Sequence, residues 1–567
     1  MIDKERLAQP LVPPLPEGER CFRMGIVLNG TVSAGAWSAG ALDGSIEVVD
    51  AWAAAKAAGE PGIPDHRIRV EMLGGASGGG VCAAIFARAA SRNFPHGEHP
   101  SNPFWQVWVE ALDLLPMLGT DDLQADQHEI PSSALSGGAI KAGIDAILTW
   151  GDATPNVTRR ATPRAWLADP FHVGITLTNL RGVPIGIEFQ ASDGSVRRSH
   201  FMRHADHIWF AIGLGNAAGL EAVRADQWPV SPDFETKAED WRAFADYARA
   251  TAAFPIGFPP VKLLRQRADY DWRGVILPPP PDANGNRQAF VASRDIQMLT
   301  PRWDALPPEE ARSTGYSFFA VDGGATNNQP LEMVREGMLG LGKSLPREPH
   351  LAKAAILLID PFSAEPTLDE PPKRMSVFGV GVGLLNAGIA QSRYATCDLF
   401  MALDGSKASR FMLTAGRKNA AKEKVLGGAA LASSDAGAFL GFLDREYRRH
   451  DFLLGRQNMI RWLQYHFRLP PENPIFGQAA GGERLPIIPR AAAVTEPVQP
   501  DWPDATRTGV VPRKAIRQRT RAVVANVARS MGSWVPSGIV GWMVWWWKGN
   551  KIIERLRDAV AKTIDRR

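Results

Sequence analysis

The feature that most constrains this chain is a glycine-rich serine turn between a short apolar segment and a run of small residues. The sequence Leu-Gly-Gly-Ala-Ser-Gly-Gly-Gly-Val sets Ser77 in a G-x-S-x-G motif. Residues 68–73 before the turn are typical of a buried strand, and residues 81–90 after it are typical of a helix. A serine fits so tight a strand-to-helix turn only among small neighbours. These neighbours are Gly75, Gly78 and Gly79. The pattern predicts a nucleophile elbow at Ser77. The alternatives are a phosphate-binding loop and a turn of small residues that serves packing alone.

Strand-like and helix-like segments alternate around this turn. The apolar residues 23–28 are followed by a helix-compatible stretch at 35–56, and further strand candidates lie at 316–321 and 354–359. Such alternation is typical of a mostly parallel sheet with helices packed on it. The sequence therefore predicts an α/β fold.

Changes in composition along the chain predict five parts. These are an exposed leader at 1–22, a catalytic domain at 23–363 with insertions at about 100–240 and 265–315, a mainly helical extension at 364–488, a linker at 489–513, and a basic, tryptophan-rich tail at 514–567. Basic residues attract anionic head groups and tryptophan favours the membrane boundary, so residues 513–567 predict a peripheral membrane contact. A helix that packs its tryptophan face on the protein's own surface is the alternative.

The charge balance and the cysteines limit the classes of partner and compartment. A net charge of +4 in 567 residues gives no indication of a nucleic-acid partner. Cys21, Cys82 and Cys397 have no paired spacing, which argues against a disulfide framework or a zinc site and for a reducing compartment. The charged N-terminal segment lacks the apolar core of a secretory signal, and no run of 18 apolar residues occurs. We expect a cytoplasmic protein, with a peripheral position at the inner membrane surface as a further expectation from the tail.

Two further motifs carry groups that a serine nucleophile needs. The segment Gly-Ile-Val-Leu-Asn-Gly-Thr-Val-Ser-Ala-Gly, with Gly30 at its turn, leads from a strand into a helix and can point backbone N–H groups at an oxyanion. Far downstream, Asp322 ends a strand and is followed by Gly323 and Gly324. Its carboxylate can therefore reach a serine hydroxyl as a general base. A phosphate loop and an ordinary β-turn are the alternatives for these two motifs.

Taken together, these motifs resemble the patatin-like phospholipase family, in its bacterial patatin-related subgroup. N-G-T-V-S-A-G, G-A-S-G-G and D-G-G occur in the family's order, and residues 250–260 match its A-x-x-A-x-P-x-x-F-P helix end. The resemblance covers roughly residues 23–335. It implies a three-layer sandwich and a hydrolase that cleaves fatty-acyl esters of phospholipids or related lipids through an acyl-enzyme. It also implies a dyad of Ser77 and Asp322, with no cofactor and no metal. The oxyanion loop that it implies consists of Gly30, Thr31 and Val32, and the supporting glycines are Gly75, Gly78, Gly79, Gly323 and Gly324.

The chain departs from the family's common pattern in the oxyanion loop. Thr31 and Val32 stand where glycine is usual, and Ala34 stands where arginine is usual. The departure supports a second hypothesis, a catalytically weak patatin-fold scaffold that binds lipid.

Two histidines support a third hypothesis, an α/β-hydrolase with a histidine-containing triad. His450 and His466 follow the acid candidates Asp322 and Asp360 in the order that such a triad requires. The surroundings of His450 are more typical of a solvated helix face, and those of His466 of half-buried packing.

Three other histidines have a spacing that suits one face of a helix. They are His200, His204 and His207. No acidic or cysteine partner beyond Asp206 completes a metal site there, so we expect none.

Overall fold

The structure is a computed structural model of the 567-residue chain. It describes residues 3–123, 132–277, 288–363, 410–477, 482–504, 511–530 and 550–565, except for positions 152, 191, 216, 234–236, 347, 490–492 and 496, and it adds scattered positions between 380 and 392.

A nine-stranded sheet forms the centre of the molecule. Its strands are β1 (Cys21–Leu28), β2 (Arg67–Gly75), β3 (Leu167–Gln190), β4 (Val196–Ile212), β5 (Gln227–Val230), β6 (Val261–Gln266), β7 (Gly315–Asp322), β8 (Ala354–Ile359) and β9 (Arg410–Leu413). The order across the sheet is β9-β8-β1-β2-β3-β7-β6, and β4 pairs with both β3 and β5. The strands from β9 to β3 are parallel, whereas the pairings of β3 with β7 and β4, and of β7 with β6, are antiparallel. The prediction of an α/β fold with a mostly parallel sheet is confirmed.

Helices cover both faces of this sheet. Those of nine or more residues in the described part of the chain are α1 (Gly35–Ala57), α2 (Gly78–Ala89), α3 (Gly138–Thr149), α4 (Ala238–Thr251), α5 (Leu331–Leu339), α6 (Arg445–Tyr465), α7 (Arg513–Ser530) and α8 (Asn550–Asp565). Helix α5 lies directly on β1 and β2, because a Cβ at Gly25 or at Gly74 would lie 2.6 or 2.5 Å from the side chain of Val334. On the other face, α1, α2, α4 and α6 share one continuous apolar core with the sheet. The result is a three-layer α/β arrangement.

Two predicted boundaries differ from the structure. Residues 167–230, expected inside an insertion, supply β3, β4 and β5, and β3 lies in the middle of the sheet. Many charged and histidine residues in the outer half of β4 conceal the apolar alternation that marks a strand. The sheet also continues beyond residue 363, because β9 pairs with β8 and buries Leu413.

The C-terminal extension is part of the helical layer. Helix α6 approaches α1 so closely that a Cβ at Gly40 would lie 1.9 Å from the carbonyl oxygen of Phe452. A Cβ at Gly455 would lie 2.0 Å from the carbonyl oxygen of Trp37. The extension therefore cannot separate from the sheet without exposing α1.

The tail contributes two helices that pack on the body of the protein. Ile516 of α7 and Ile553 of α8 are buried against Leu118. Arg519 of α7 is buried and pairs with Asp122. The described tail helices therefore pack on the protein's own surface, and they contain none of the tail's tryptophans. The tryptophan-rich segment at 534–547 lies outside the described residues. Within the described part of the chain, no helix combines the length and the apolar character needed to cross a membrane.

The directions of two strands bring distant parts of the chain together. Strand β2 ends at Gly75, which pairs with Ile175 of β3. Strand β7 ends at Asp322, which pairs with Leu177 of the same strand. Because β2 is parallel to β3 and β7 is antiparallel to it, the two strands reach the middle of β3 from opposite ends. The turn after β2 therefore meets the last residue of β7.

Candidate active site

Ser77 lies in the tight turn between β2 and α2. Its backbone has φ 54° and ψ −130°, a conformation that residues with a side chain rarely adopt and that a nucleophile elbow imposes. The neighbouring glycines are required by close packing. A Cβ at Gly75 would lie 2.6 Å from the carbonyl oxygen of Gly79, and a Cβ at Gly79 would lie 2.3 Å from that of Leu28. The serine is therefore held at the point where β1, β2 and α2 converge.

The structure brings Ser77 and Asp322 together. Ser77 Oγ donates a hydrogen bond of 2.6 Å to Asp322 Oδ2, and both residues are buried. The other carboxylate oxygen, Oδ1, accepts a hydrogen bond of 2.7 Å from the backbone N–H of Gly324. A Cβ at Gly323 would lie 2.2 Å from the carbonyl oxygen of Thr176, so this glycine lets the loop pass close to β3. The carboxylate is thus fixed with one oxygen facing the serine.

Burial makes Asp322 a stronger base than an ordinary aspartate. Loss of solvent raises the pKa of Asp322 from 3.8 to about 6, against the hydrogen bonds from Ser77 and Gly324, which favour the ionised form. The carboxylate is ionised at neutral pH and has a pKa close enough to that pH to accept a proton from a hydroxyl. A general base needs this combination.

The end of α4 holds both members of this pair. Thr251 Oγ1 accepts a hydrogen bond of 2.9 Å from the N–H of Ser77, and the carbonyl oxygen of Ala253 accepts one of 2.9 Å from the N–H of Asp322. Sequence analysis did not single out Thr251 or Ala253. Both lie in the segment 250–260 that resembles the family's helix end, but the residue pattern does not reveal what the segment contacts.

The predicted oxyanion loop lies beside Ser77. A Cβ at Gly30 would lie 3.0 Å from Ser77 Cβ, so the backbone of this loop passes next to the serine. Thr31 is buried, and its Oγ1 faces the first turn of α2, 2.4 Å from the position of a Cβ at Gly78. Val32 has φ 49° and starts a short 3₁₀ turn. Since Val32 and Gly78 each begin a helical turn, their N–H groups have no acceptor within it. Gly78, predicted only as a supporting glycine, is therefore a further candidate for the oxyanion donor.

A loop of the C-terminal extension covers the oxyanion loop. Ser33 Oγ donates a hydrogen bond to the carbonyl oxygen of Ala438 and accepts one of 3.2 Å from the N–H of Gly441. A Cβ at Gly441 would lie 2.5 Å from Ser33 Oγ, so only glycine permits this contact. The extension therefore supports the loop that carries Thr31 and Val32.

A small apolar cavity lies beside Ser77. The side chains that line it include Val32, Trp108, Leu112, Phe254, Phe258 and Phe442. Its volume is about 40 Å³, so these side chains leave little free space next to Ser77.

The candidate triad histidines do not join this site. His450 is buried rather than solvated, because α6 is covered on both sides. Its Nδ1 is hydrogen-bonded to Asp451 at 2.8 Å and its ring packs edge-on against Trp502. His466, expected to be half-buried, is exposed at the end of α6. Among the described residues, neither histidine lines the cavity or forms a hydrogen bond with Ser77.

The three spaced histidines lie in a strand and not in a helix. Because side chains alternate along β4, His200 and His204 share one face of the sheet and His207 lies on the other. Asp206 is already paired with Arg265 at 3.1 Å. The described part of the chain contains no group of three His, Cys, Asp or Glu residues that could hold a metal ion.

Comparisons with known proteins give two similarities. No protein-family model matches this chain. The chain is 29% identical over 485 residues to the uncharacterized protein y4iI of Sinorhizobium fredii (strain NBRC 101917 / NGR234), in an alignment that covers 79% of this chain and 65% of that protein. Among solved structures, it is similar to VipD from Legionella pneumophila at a TM-score of 0.23 and 11% identity, over 81% of this chain and 71% of VipD.

Proposed function

We propose that this chain is a serine acyl-ester hydrolase of the patatin type, which cleaves fatty-acyl esters of phospholipids or related lipids. The observation that carries the proposal is the 2.6 Å hydrogen bond from Ser77 Oγ to Asp322 Oδ2. It joins a serine on a nucleophile elbow to a buried carboxylate beside an apolar cavity, and these are the parts that acyl transfer to a serine requires.

The reaction that fits this site has two halves. In the first, Ser77 Oγ attacks the ester carbonyl while Asp322 takes the hydroxyl proton. The tetrahedral intermediate then breaks its bond to the alcohol, which leaves with that proton, and the acyl group stays on Ser77. In the second half, Asp322 takes a proton from water, the hydroxide attacks the acyl-enzyme, and the fatty acid departs as the proton returns to Ser77. The backbone N–H groups of Gly30, Thr31, Val32 and Gly78 are the candidate donors to the oxyanion in both halves.

A dyad without histidine is consistent with the burial of Asp322. An ordinary aspartate is a weak base at neutral pH, but the pKa of about 6 brings Asp322 near the range that histidine usually provides. The backbone N–H groups of Ser77 and Asp322 donate hydrogen bonds to Thr251 Oγ1 and to the carbonyl oxygen of Ala253. These bonds fix the serine relative to the carboxylate, which is the positioning that the third member of a triad normally supplies.

Labelling with a fluorophosphonate probe tests the proposal. The purified full-length protein should be labelled, and Ser77→Ala should abolish labelling. Asp322→Asn should slow it by about a hundredfold or more, because general-base catalysis contributes about 10²–10⁴-fold. His450→Gln is the matched control, since this buried histidine lies outside the site and should leave the labelling rate close to that of the wild type.

Other outcomes of the same experiment favour the other hypotheses. Labelling that survives Asp322→Asn but is lost on substitution of His450 or His466 would favour the triad. A folded wild-type protein that is not labelled would favour the lipid-binding scaffold.

A lipid substrate would also give the tail a role at the membrane surface. Lys514 and Arg517 of α7 are exposed, while Ile516 and Arg519 of the same helix face the protein. We propose that the exposed basic face of α7 contacts anionic head groups when the protein meets its substrate.

A further inference from the structure

A second hollow adjoins the catalytic cavity and takes no part in the dyad. Its volume is about 740 Å³, and it shares Ile140 and Phe258 with the cavity beside Ser77. Its wall also includes Ala253, whose carbonyl oxygen binds the N–H of Asp322. A lipid whose ester carbonyl lies at Ser77 can therefore place another part of the molecule in this hollow.

Among the described residues, the lining of the hollow has an excess of positive charge. The cationic side chains are those of Lys141, Arg249 and Lys262. The acidic residues are Asp121 and Asp122, and Asp122 is already paired with Arg519 of α7. In addition, α3 begins at Gly138 in the wall of the hollow, and the N-terminus of a helix carries a partial positive charge.

Arg249 lines the hollow with a partly exposed side chain. This side chain is 33% exposed, and its Nη2 pairs with Asp246 at 3.1 Å. An anionic ligand in the hollow would add a charge-assisted hydrogen bond to the same guanidinium.

Lys262 is the second cation that is free to bind a ligand. It is exposed on β6, the edge strand of the sheet, and forms no ion pair with any of the described residues. Lys141, by comparison, is paired with Asp145 at 2.6 Å.

We propose that this hollow binds the phosphate of an anionic phospholipid head group, with Arg249 and Lys262 as its cationic partners. The inference rests on the proposed hydrolase function. A head group that carries an additional ammonium would bring like charge next to Arg249 and Lys262, which is unfavourable. The enzyme should therefore prefer phosphatidylglycerol to phosphatidylcholine with the same acyl chains.

The test compares substrates at low mole fraction in micelles of an uncharged detergent, where dilution minimises attraction to a charged surface. The substrates are phosphatidylglycerol, phosphatidylcholine and diacylglycerol with identical chains. We expect kcat/KM of the wild type to be about tenfold higher for phosphatidylglycerol than for diacylglycerol, the contribution of one hydrogen bond between charged groups. Phosphatidylcholine should be a poorer substrate than phosphatidylglycerol, because its ammonium adds a like charge beside the two cations. Lys262→Gln and Arg249→Gln should each lower the ratio of phosphatidylglycerol to diacylglycerol turnover by about fivefold to tenfold.

Lys237→Gln is the matched control, because Lys237 is exposed at the start of α4 and lies outside the hollow. It should leave all three rates close to those of the wild type. Lys262→Gln also guards against a folding defect in Arg249→Gln, since Lys262 is on the surface.

Several results would overturn the inference. One such result has two parts: kcat/KM falls equally on all three substrates in the Arg249 variant, and the substrate ratio of the Lys262 variant stays at the wild-type value. This result would assign Arg249 to the support of Thr251. Another is competition by inorganic phosphate in a wild type that shows no preference for phosphatidylglycerol, which would assign the hollow to free phosphate. A protein that hydrolyses none of the esters and does not react with the fluorophosphonate would refute the proposed function itself. Hydrolysis of diacylglycerol with unaltered ratios in both variants would refute the head-group site alone.

Discussion

The rate of ester hydrolysis should depend on pH through the titration of Asp322. With a pKa of about 6, the carboxylate is about 90% ionised at pH 7 and about 10% ionised at pH 5, by simple titration. An aspartate with the ordinary value of 3.8 would still be about 90% ionised at pH 5. Because only the ionised form accepts the proton of Ser77, we expect kcat/KM to fall about tenfold between pH 7 and pH 5. An uncharged, water-soluble ester is the substrate of choice, since it does not titrate in this range.

The same titration has a consequence for stability. Below pH 3.8 the carboxyl is protonated in both the folded and the unfolded protein and has no effect. As the pH rises from 3.8 through the folded pKa of about 6, stability is lost, because ionisation is easier in the unfolded chain. The loss amounts to about 3 kcal/mol above pH 6, at 1.36 kcal/mol for each unit of pKa. Asp322→Asn should therefore unfold at a higher denaturant concentration than the wild type at pH 8, and the difference should shrink by pH 4.5.

One pair of results would refute this reasoning. A kcat/KM that stays level down to pH 5, with an Asp322→Asn variant no more stable than the wild type at pH 8, would show that the carboxylate is solvated. Asp360→Asn is the comparison for the stability measurement, because Asp360 is also a buried aspartate at the end of a strand but does not contact Ser77.

Three other substitutions test the surroundings of the dyad. Thr251→Val removes the acceptor of the Ser77 N–H and should lower stability by about 1–3 kcal/mol and kcat as well; a variant with wild-type kcat and unfolding midpoint would contradict the role given to Thr251. Phe442→Ala should enlarge the cavity and shift kcat/KM from short-chain toward long-chain esters at a cost of about 3–5 kcal/mol in stability, and an unchanged chain-length profile would exclude Phe442 as part of the acyl site. The double variant Lys514→Glu/Arg517→Glu should bind anionic vesicles more weakly than the wild type, because both side chains are exposed on α7; equal sedimentation with vesicles would argue against a membrane contact of this helix.

The local part of the site could be predicted from sequence because local sterics dictate it. Only glycines fit around Ser77, so the elbow leaves a pattern that can be read in five residues. The meeting of Ser77 with Asp322 could not be derived in this way. It depends on the antiparallel direction of β7, and strand direction has no signature in an apolar run. Without the family resemblance, an Asp-Gly-Gly segment is indistinguishable from a turn.

Two predictions differ from the structure because side-chain polarity alone does not show what a segment packs against. Strand β4 belongs to the central sheet and not to an insertion. Its outer half carries charged and histidine side chains, whereas its inner half packs in the core. The solvated position predicted for His450 was wrong because the charged residues around it on α6 pair with partners on other elements. Arg449 binds Glu98, and Arg456 binds Asp43. Charge alone does not show whether a helix face meets water or an oppositely charged neighbour.

In the proposed hydrolase, residues 439–442 of the C-terminal extension contact both the cavity for the acyl chain and the oxyanion loop. Phe442 fills part of the cavity beside Ser77, and Gly441, the residue before it, donates its N–H to Ser33. Phe254, from the turn after α4, packs edge-on against Phe439 of that segment, with ring centroids 5.9 Å apart. We therefore expect a chain that displaces Phe442 to disturb the contact with Ser33, which follows Val32. The side chain that closes the cavity and the N–H that holds Ser33 thus belong to adjacent residues of one short segment.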